Sequence, residues 1–384
     1  MLYFDSAATA LGDHQILHEA FEESRLYEAN PSSLHRAGKI VRERIEEHRF
    51  AIASLLGLDK KDCIFTSGAT EANHIVLLSL LNAPARGTVL MSSAEHPSIY
   101  ENRKWLQQQG FTVKDVDVDS LGRLSLEDLQ RKLTKDVLML CCMAVNFQSG
   151  AINNIEQIAM ILDQFRQNHG GRSIHLHVDA AQMILAQMYP RIAHWQADSI
   201  VFSGHKLSGP KGVGLLYWRK HKQSFLRGGG QEMFMRAGTE SIFGISALRL
   251  ALEKVAQYVD TTVEQKQRLF LQAVRASNGV IYHEEISPKE KSPYHYLVQF
   301  SPLPAEVVVR HLSTYQIMVG TSSACSGDST HRLRPLLAQG ITKSDASQLV
   351  RFSYSPWSDT SQLEQLMHQL PKAMHQLVRP QIHK

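Results

Sequence analysis

Short runs of almost continuously apolar residues alternate with longer segments of mixed apolar and polar residues through the middle of the chain. Continuous apolar runs are typical of strands buried on both faces, and the mixed segments are typical of amphipathic helices. The alternation predicts a mostly parallel sheet covered by helices on both faces, which is an α/β fold. The predicted strands are Cys63–Thr66, Thr88–Ser92, Phe111–Val118, Val137–Val145, Ile174–Val178 and Ser199–Ser203, and the predicted helices are Ala69–Leu81, Pro97–Gln109, Ser125–Lys132 and Ile155–Asn168.

The pattern changes after about residue 255. A long polar helix, Val263–Ala276, leads there into shorter strands and helices. A chain of 384 residues is long enough for one large domain and a smaller one. We therefore predict a large domain over residues 13–255 and a smaller α/β domain over residues 256–384, against which residues 1–12 pack.

Composition and charge narrow the class of protein. The chain is 43% hydrophobic and 20% charged, with a net charge of +4 and no basic run, so a nucleic-acid partner is not expected. The apolar stretches Ile75–Leu81 and Val137–Val145 are too short to span a bilayer, and the first residues do not resemble a signal peptide. Four cysteines do not make a disulfide framework in a chain of this length. We expect a cytoplasmic protein with reduced thiols and no membrane partner.

A lysine and an aspartate each follow a predicted strand. Lys206 lies in the glycine-rich segment 203–212, where a sharp turn would present an amine able to form an imine. Asp179 ends an apolar strand and could pair with a protonated pyridine nitrogen, with Gln182 over the same site. Alternatively, Lys206 is an exposed lysine between two strands without a catalytic role, and Asp179 caps a helix.

Two further turns offer a phosphate site and an imidazole. The segment Thr66–Asn73 joins a strand to a helix through Gly68, and the N–H groups at such a helix start suit a phosphate. His96 follows the strand Thr88–Ser92 and could stack on a planar cofactor and move protons. An ordinary Ser or Thr helix cap and a structural histidine are the alternatives.

Two small-residue loops complete the series. Glycines 228–230 lead to residues 236–240 and would allow close approach of the backbone, or would form only a flexible loop. Cys325 lies among small residues, a setting typical of an accessible thiol, although a surface cysteine without a role fits as well. Cys63, Cys141 and Cys142 lie in apolar strands, where thiols are usually inert packing groups.

Taken in order, these segments resemble the cysteine desulfurases of the class V aminotransferase group, which are fold type I enzymes dependent on pyridoxal 5'-phosphate (PLP). The resemblance covers nearly the whole chain, and the ordered series is far more specific than any one motif. Its segments are DSAAT from Asp5, NPSSLH from Asn30, SGATEAN, AEH, HVDAAQ, SGHKLSGPKGVG, GGGQE, MRAGTE, the pair Ala324-Cys325, and Arg351-Phe352-Ser353.

The resemblance implies a role for each matching residue around the cofactor. Lys206 would hold PLP as a Schiff base, and Asp179 would pair with the pyridine nitrogen. Gln182 would bond the ring oxygen, while His96 would stack on the ring and act as an acid–base group. The phosphate would be bound by Ala69, Thr70, Ser203 and His205, and by Thr239 from the neighbouring subunit of a homodimer.

The resemblance also implies a substrate and a reaction. Arg351 would bind the substrate carboxylate through a bidentate contact, and Asn30 would lie at the substrate. L-cysteine would be converted to L-alanine, and Cys325 would take the sulfur as a persulfide. A protein that accepts the sulfur is an expected partner, and no metal is expected.

Two departures from the family pattern leave other reactions open. The family usually has two asparagines and an acid where this chain has Asn146, Phe147 and Gln148, so the second amide is missing. Because adjacent side chains on a strand point in opposite directions, Asn146 could replace that amide only if the strand end shifts. Residues 329–331 also differ from the usual run after the cysteine. A selenocysteine or cystine-type lyase, another PLP-dependent lyase or aminotransferase, and a non-enzymatic protein with the same fold remain alternatives.

Overall fold

The computed structural model describes residues 1–170, 173–186, 189–219, 226, 228–284, 287, 289–321 and 329–378. No helix within these ranges is both long enough and apolar enough to cross a membrane. The strands are β1 Leu2–Phe4, β2 Cys63–Thr66, β3 Thr88–Ser92, β4 Thr112–Val116, β5 Val137–Met143, β6 His175–Asp179, β7 Ser199–Ser203, β8 Gly214–Trp218, β9 Val280–Ile281, β10 His295–Gln299, β11 Ile317–Thr321 and β12 Leu349–Ser353. The helices are α1 His14–Leu26, α2 Arg36–Leu56, α3 Ala69–Leu78, α4 Pro97–Tyr100, α5 Arg103–Gln108, α6 Leu126–Lys132, α7 Ile155–His169, α8 Ile242–Gln257, α9 Val263–Ala276, α10 Ala305–Thr314, α11 Ser329–Leu337, α12 Lys343–Ala346 and α13 Thr360–Val378.

The larger sheet has the strand order β2-β8-β7-β6-β5-β3-β4. Neighbouring strands from β7 to β4 run parallel, and β8 alone is antiparallel to its neighbours β7 and β2. This confirms the predicted α/β fold with a mostly parallel sheet. The antiparallel strand β8 was not predicted from the pattern.

Helices cover both faces of this sheet, as the apolar strands require. In β3, Val89 and Met91 pack in one buried cluster with Ile75 of α3. Leu90, whose side chain points to the opposite face, packs in a second cluster with Ile158 of α7. Strands without a polar face are therefore explained by two apolar layers.

The smaller sheet has the order β1-β11-β12-β10-β9. Its first strand comes from the start of the chain, because β1 pairs in parallel with β11 through Leu2 and Ile317. Phe4 contacts the rings of Phe352 and Tyr354 in the core beneath this sheet. The first residues thus pack with the last third of the chain, while the domain boundaries 13–255 and 256–384 with 1–12 remain a prediction.

The predicted elements agree with the observed ones in type, with one interruption. Pro97–Gln109 is two short helices, α4 and α5, rather than one. The interruption lies at Asn102, whose backbone N–H bonds to the Ile99 carbonyl three residues back, while its side chain donates to the Ser98 carbonyl. Apart from this break, each predicted helix and strand begins and ends within three residues of the observed one.

Candidate active site

The carboxyl ends of β3, β5, β6 and β7 lie at one edge of the larger sheet, because these strands are parallel. A cavity of about 610 Å³ opens at this edge. Ligands of open α/β sheets bind at this position. Nine of the residues predicted from the sequence line the cavity: Ala69, Thr70, His96, Asp179, Gln182, Ser203, His205, Lys206 and Arg351.

Lys206 lies in a short 3-10 turn, Gly204–Lys206, directly after β7. Its Nζ donates hydrogen bonds to the carbonyl oxygens of Ala7 and Ala8, the second at 2.7 Å. Burial and the neighbouring Arg351 lower the pKa of this amine to about 8. A much larger fraction of Lys206 is therefore uncharged near neutral pH than of an ordinary lysine, and only an uncharged amine is a nucleophile or a base.

Asp179 ends β6 and is buried with both oxygens in hydrogen bonds. Its Oδ2 accepts from Asn73 Nδ2 at 3.0 Å, and its Oδ1 accepts from the backbone N–H of Ala181 at 2.9 Å. Gln182 donates from Nε2 to the carbonyl oxygen of Ala7 at 2.8 Å, while its buried Oε1 has no hydrogen-bond partner. An unpartnered buried acceptor on a cavity wall suits a donor on a bound molecule.

Helix α3 begins at the cavity without a side-chain cap. Its N-cap residue is Gly68, which has no side chain to accept hydrogen bonds from the first N–H groups of the helix. These groups therefore remain available to an anion. A Cβ atom at Gly214 would lie 2.7 Å from the Gly68 Cα, so glycine at 214 allows β8 to approach the start of α3. Ser203, His205 and Thr70 line the cavity with this helix start.

His96 contacts the wall of the cavity through a serine and a phenylalanine. Its Nδ1 lies 2.9 Å from Ser98 Oγ and accepts the Ser98 backbone N–H at 3.2 Å. The Phe147 ring packs edge-on against the imidazole, with 5.2 Å between ring centroids. Burial lowers the pKa of His96, so the neutral imidazole is favoured at neutral pH.

Arg351 reaches the cavity from β12 of the smaller sheet. Its Nη2 donates to Asp5 Oδ1 at 2.9 Å and its Nη1 donates to the carbonyl oxygen of Phe147 at 3.2 Å. Its Nε is buried without a partner, and the side chain is 9% exposed. This guanidinium is therefore held in place on two sides and retains a free donor for a carboxylate.

Phe147 lines the cavity, and Asn146 does not. The Asn146 Oδ1 accepts the backbone N–H groups of Gln148 and Ser149 at 2.9 and 3.2 Å, and its Nδ2 donates to Gly122. Both polar atoms of the Asn146 amide are therefore hydrogen-bonded within the protein. The strand end does not shift, so Asn146 does not replace the amide that the family usually has at position 147.

Two of the predicted residues do not line this cavity. Thr239 is exposed and does not line it. Asn30 is also exposed, and its Oδ1 accepts the Ser32 backbone N–H at 2.8 Å. Since Asn30 does not line the cavity, it would not contact a substrate bound in the cavity of its own chain. Cys325 lies outside the described residues.

The segment before Thr239 is held by a buried ion pair. Arg49 makes a bidentate contact with Glu232, at 2.7 and 2.8 Å, and Glu232 also accepts the Phe65 backbone N–H at 2.7 Å. Glu232, Met233 and Phe234 all have positive φ angles, of 46°, 56° and 64°. Left-handed backbone costs about 1–2 kcal/mol per residue, so the ion pair and its hydrogen bonds offset a strained turn.

Sequence reasoning missed several residues of the site. Asn73 and Ser98 lie in the quoted motifs or next to them, but no pattern indicates that their side chains meet. Glu95 accepts the Met143 backbone N–H at 2.7 Å, and burial together with Asp179 raises its pKa to about 8. Lys211, an exposed residue of the glycine-rich segment, also lines the cavity. For Lys211, its position in the glycine-rich segment 203–212 was the one feature of the sequence that could have indicated a place at the site.

The described thiols are buried, as predicted. Cys63, Cys141 and Cys142 are free cysteines with no exposed surface. Burial raises the pKa of each thiol, that of Cys63 to about 12. Since the thiolate is the reactive form, these three cysteines are poor nucleophiles.

The residues present fit PLP. A lysine amine of lowered pKa, a buried carboxylate, an unpartnered amide oxygen and an uncapped helix start line one cavity. They match the aldehyde, the pyridine nitrogen, the ring substituent and the phosphate of that cofactor in chemical type.

Comparisons with known proteins agree with this chemistry. The family model for class-V aminotransferases matches residues 2–366. The protein named Cysteine desulfurase IscS 1 of Archaeoglobus fulgidus is 32% identical over 98% of this chain and 98% of its own length. Cysteine desulfurase NifS of Azotobacter vinelandii is 30% identical over 98% of this chain and 93% of its own length. A solved structure described as a NifS-like protein has a TM-score of 0.87 and 27% identity, covering 97% of this chain and 99% of its own.

Proposed function

The chain belongs to the class-V aminotransferase family, a family that implies PLP, and on this premise we propose that it is a PLP-dependent cysteine desulfurase. It converts L-cysteine to L-alanine and takes the sulfur on Cys325 as a persulfide. The observation that carries the proposal is the buried Lys206 amine, with a pKa of about 8, in one cavity with Asp179 and Arg351.

PLP, when bound, supplies an electron sink that stabilises negative charge at the α-carbon of an amino acid. Lys206 would hold the cofactor covalently, and its amine, once the amine of the substrate has replaced it, would be free to take the α-proton from the substrate. Asp179 would face the pyridine nitrogen with a carboxylate that two donors keep in position. Arg351 binds the substrate carboxylate through its unpartnered donor, which orients the α-proton towards Lys206.

Sulfur transfer requires a thiolate. The Cys325 thiolate attacks the substrate sulfur, so that an S–S bond forms while the carbon–sulfur bond of the substrate breaks. The electron pair of that bond remains on the carbon fragment, which takes up protons and leaves as L-alanine. Among the four cysteines, the three described ones are buried thiols of raised pKa, so Cys325 is the remaining candidate.

The test is turnover of L-cysteine by the PLP-loaded protein in the presence of a reductant. We expect sulfide and L-alanine in equal amounts, because the reductant releases the persulfide sulfur and regenerates the thiol. The alternative reaction, transamination, is favoured by Phe147, which changes the polarity of the cavity wall beside His96. Glutamate formed from 2-oxoglutarate with any amino acid, without sulfide, would reject the desulfurase in favour of an aminotransferase.

A homodimer would complete the site. Thr239 is exposed outside the cavity of its own chain, and large apolar residues are exposed nearby in sequence and in space: Phe234 is 76% exposed and Leu34 is 85% exposed. The segments that carry them are joined by a hydrogen bond of 3.2 Å between Gln231 and Ser32. Apolar side chains exposed to this degree on neighbouring segments are typical of an interface.

We expect Phe234→Asp to yield a monomer by light scattering and to weaken PLP retention, because the partner's Thr239 would no longer contribute to the phosphate site. Met160, an apolar residue of α7 that is 60% exposed, provides the matched control. Met160→Asp should leave the mass unchanged. A Phe234→Asp protein with the mass and PLP affinity of the parent would contradict the interface.

We further propose a cytoplasmic location, which suits the free described cysteines, and a protein acceptor for the sulfur carried by Cys325.

A further inference from the structure

Asn73, in the first turns of α3, is completely buried between two functional side chains of the cavity. Its Nδ2 donates to Asp179 Oδ2 at 3.0 Å and to Ser98 Oγ at 2.8 Å. Its Oδ1 lies 2.9 Å from His177 Nε2. One amide therefore contacts the carboxylate assigned to the pyridine nitrogen and the serine that contacts His96.

The direction of each hydrogen bond follows from the chemistry of the groups. A carboxylate only accepts, so the NH₂ group of Asn73 must face Asp179 and its carbonyl must face His177. His177 then donates from Nε2 and accepts from Ser199 Oγ at Nδ1, at 2.7 Å. Burial lowers the pKa of His177 to about 3, which keeps this imidazole neutral, as the arrangement requires.

The same reasoning fixes the proton of His96. The Ser98 backbone N–H can only donate, and it lies 3.2 Å from His96 Nδ1, so that nitrogen is unprotonated. Ser98 Oγ accepts from Asn73 and therefore directs its own proton to His96 Nδ1, at 2.9 Å. Neutral His96 consequently carries its proton on Nε2.

We propose that Asn73 is a positioning residue that, through Ser98, holds His96 as the Nε2–H tautomer while it fixes the Asp179 carboxylate. His96 presents its Nε2–H to the reacting group as a hydrogen-bond donor and stays a neutral imidazole, because Nδ1 remains occupied by two donors. Protonation of Nδ1 would break both of these hydrogen bonds, so activity should fall at acid pH. This inference rests on the proposed function only for the reaction that His96 serves. The hydrogen bonds of Asn73 with Ser98 and Asp179 involve only side chains of this protein and do not depend on which reaction it catalyses.

The charged groups with the largest electrostatic effect on the pKa of His96 are Asp179, Lys206 and Arg334. The Phe147 ring packs against one side of the imidazole. None of these is removed when Asn73 is replaced. Loss of Asn73 frees the Ser98 hydroxyl to turn away, so the Nδ1 of His96 loses a donor that favours the neutral ring. The pKa of His96 should then rise, and protonation should occur at higher pH.

The experiment compares the PLP-loaded parent with Asn73→Ala and Ser98→Ala. We expect the acid limb of the pH–kcat profile to move up by about one unit in both variants, as for one lost hydrogen bond, so that kcat falls by up to about tenfold on the acid side and little on the alkaline side. Nitrogen-15 NMR of the His96 ring, assigned with His96→Gln, should show mixed tautomers in place of Nε2–H alone. Ser98→Ala leaves the Asn73–Asp179 bond in place and should retain PLP as the parent does.

Asn102→Ala is the matched control, because Asn102 donates to the Ser98 backbone carbonyl at 2.9 Å but not to its hydroxyl. It should retain the parent profile and tautomer. An unchanged His96 tautomer in both Asn73→Ala and Ser98→Ala would overturn the proposal, as would an equal loss of kcat at every pH. If the parent fails to release sulfide while the NMR result holds, the proposed function fails and the positioning role stands.

Discussion

Lys206→Ala should abolish turnover of L-cysteine, with a loss of at least about 10⁴-fold, because in the proposed mechanism one amine both holds PLP covalently and moves the α-proton. The parent protein should show the visible absorbance of lysine-bound PLP and, after borohydride reduction, a peptide adduct on Lys206. The variant should show neither. Lys211→Ala removes a second lysine among the described residues that line the cavity and should retain both signals, since the Lys206 amine is unchanged.

The lowered pKa of Lys206 adds a pH dependence. An amine with a pKa of about 8 is uncharged above that pH and becomes protonated below it. Uptake of PLP by the apoprotein should therefore slow as the pH falls below about 8 and level off above it, rather than near the usual pKa of lysine, which is about 10.4. An adduct on another residue in Lys206→Ala, with turnover retained, would contradict the assignment.

Cys325→Ser should eliminate the persulfide and reduce sulfide release by at least about 10³-fold, because a hydroxyl at neutral pH does not replace a thiolate as the sulfur acceptor. PLP absorbance and its change on addition of L-cysteine should remain, since Lys206 and Asp179 are untouched. Mass spectrometry of the parent after a single turnover should show an added sulfur on the peptide that contains Cys325.

Cys63→Ala controls for the loss of a thiol as such. Cys63 is buried in β2, and burial raises its pKa to about 12, so the variant should release sulfide like the parent. Alkylation of the native parent should modify one thiol per chain, because the three described cysteines are buried. Full sulfide release by Cys325→Ser would mean that the sulfur leaves without this thiol.

The sequence predicted the larger sheet well because its strands carry their own signal. Cys63–Thr66, Thr88–Ser92 and Ser199–Ser203 were predicted with the observed bounds, since a strand buried on both faces is an apolar run that ends at a polar or small residue. The antiparallel β8 was missed, because an apolar run does not reveal the direction in which its strand pairs. The strand β1 joins the smaller sheet through contacts with residues about 300 positions away in the chain.

The candidate site was predicted in part for a related reason. Residues at strand ends, such as Asp179 and Lys206, are marked by an abrupt change from apolar to polar or glycine-rich sequence, and parallel strands bring such ends together. Arg351 was assigned through the resemblance, and no local pattern marks it, because it reaches the cavity from the other sheet. Asn30 and Thr239 resemble the family motif but lie outside the cavity of their own chain.

The sequence by itself determined which groups this protein carries: the lysine, the aspartate, the helix start and the four thiols, in an order that resembles one family. Only the tertiary structure decided their protonation and their contacts. The pKa of Lys206 depends on burial and on Arg351, and the proton of His96 depends on Asn73 and Ser98, side chains separated by 25 positions in the chain. The reason is that solvation and hydrogen-bond direction depend on neighbours in space, which the local pattern of a chain does not contain.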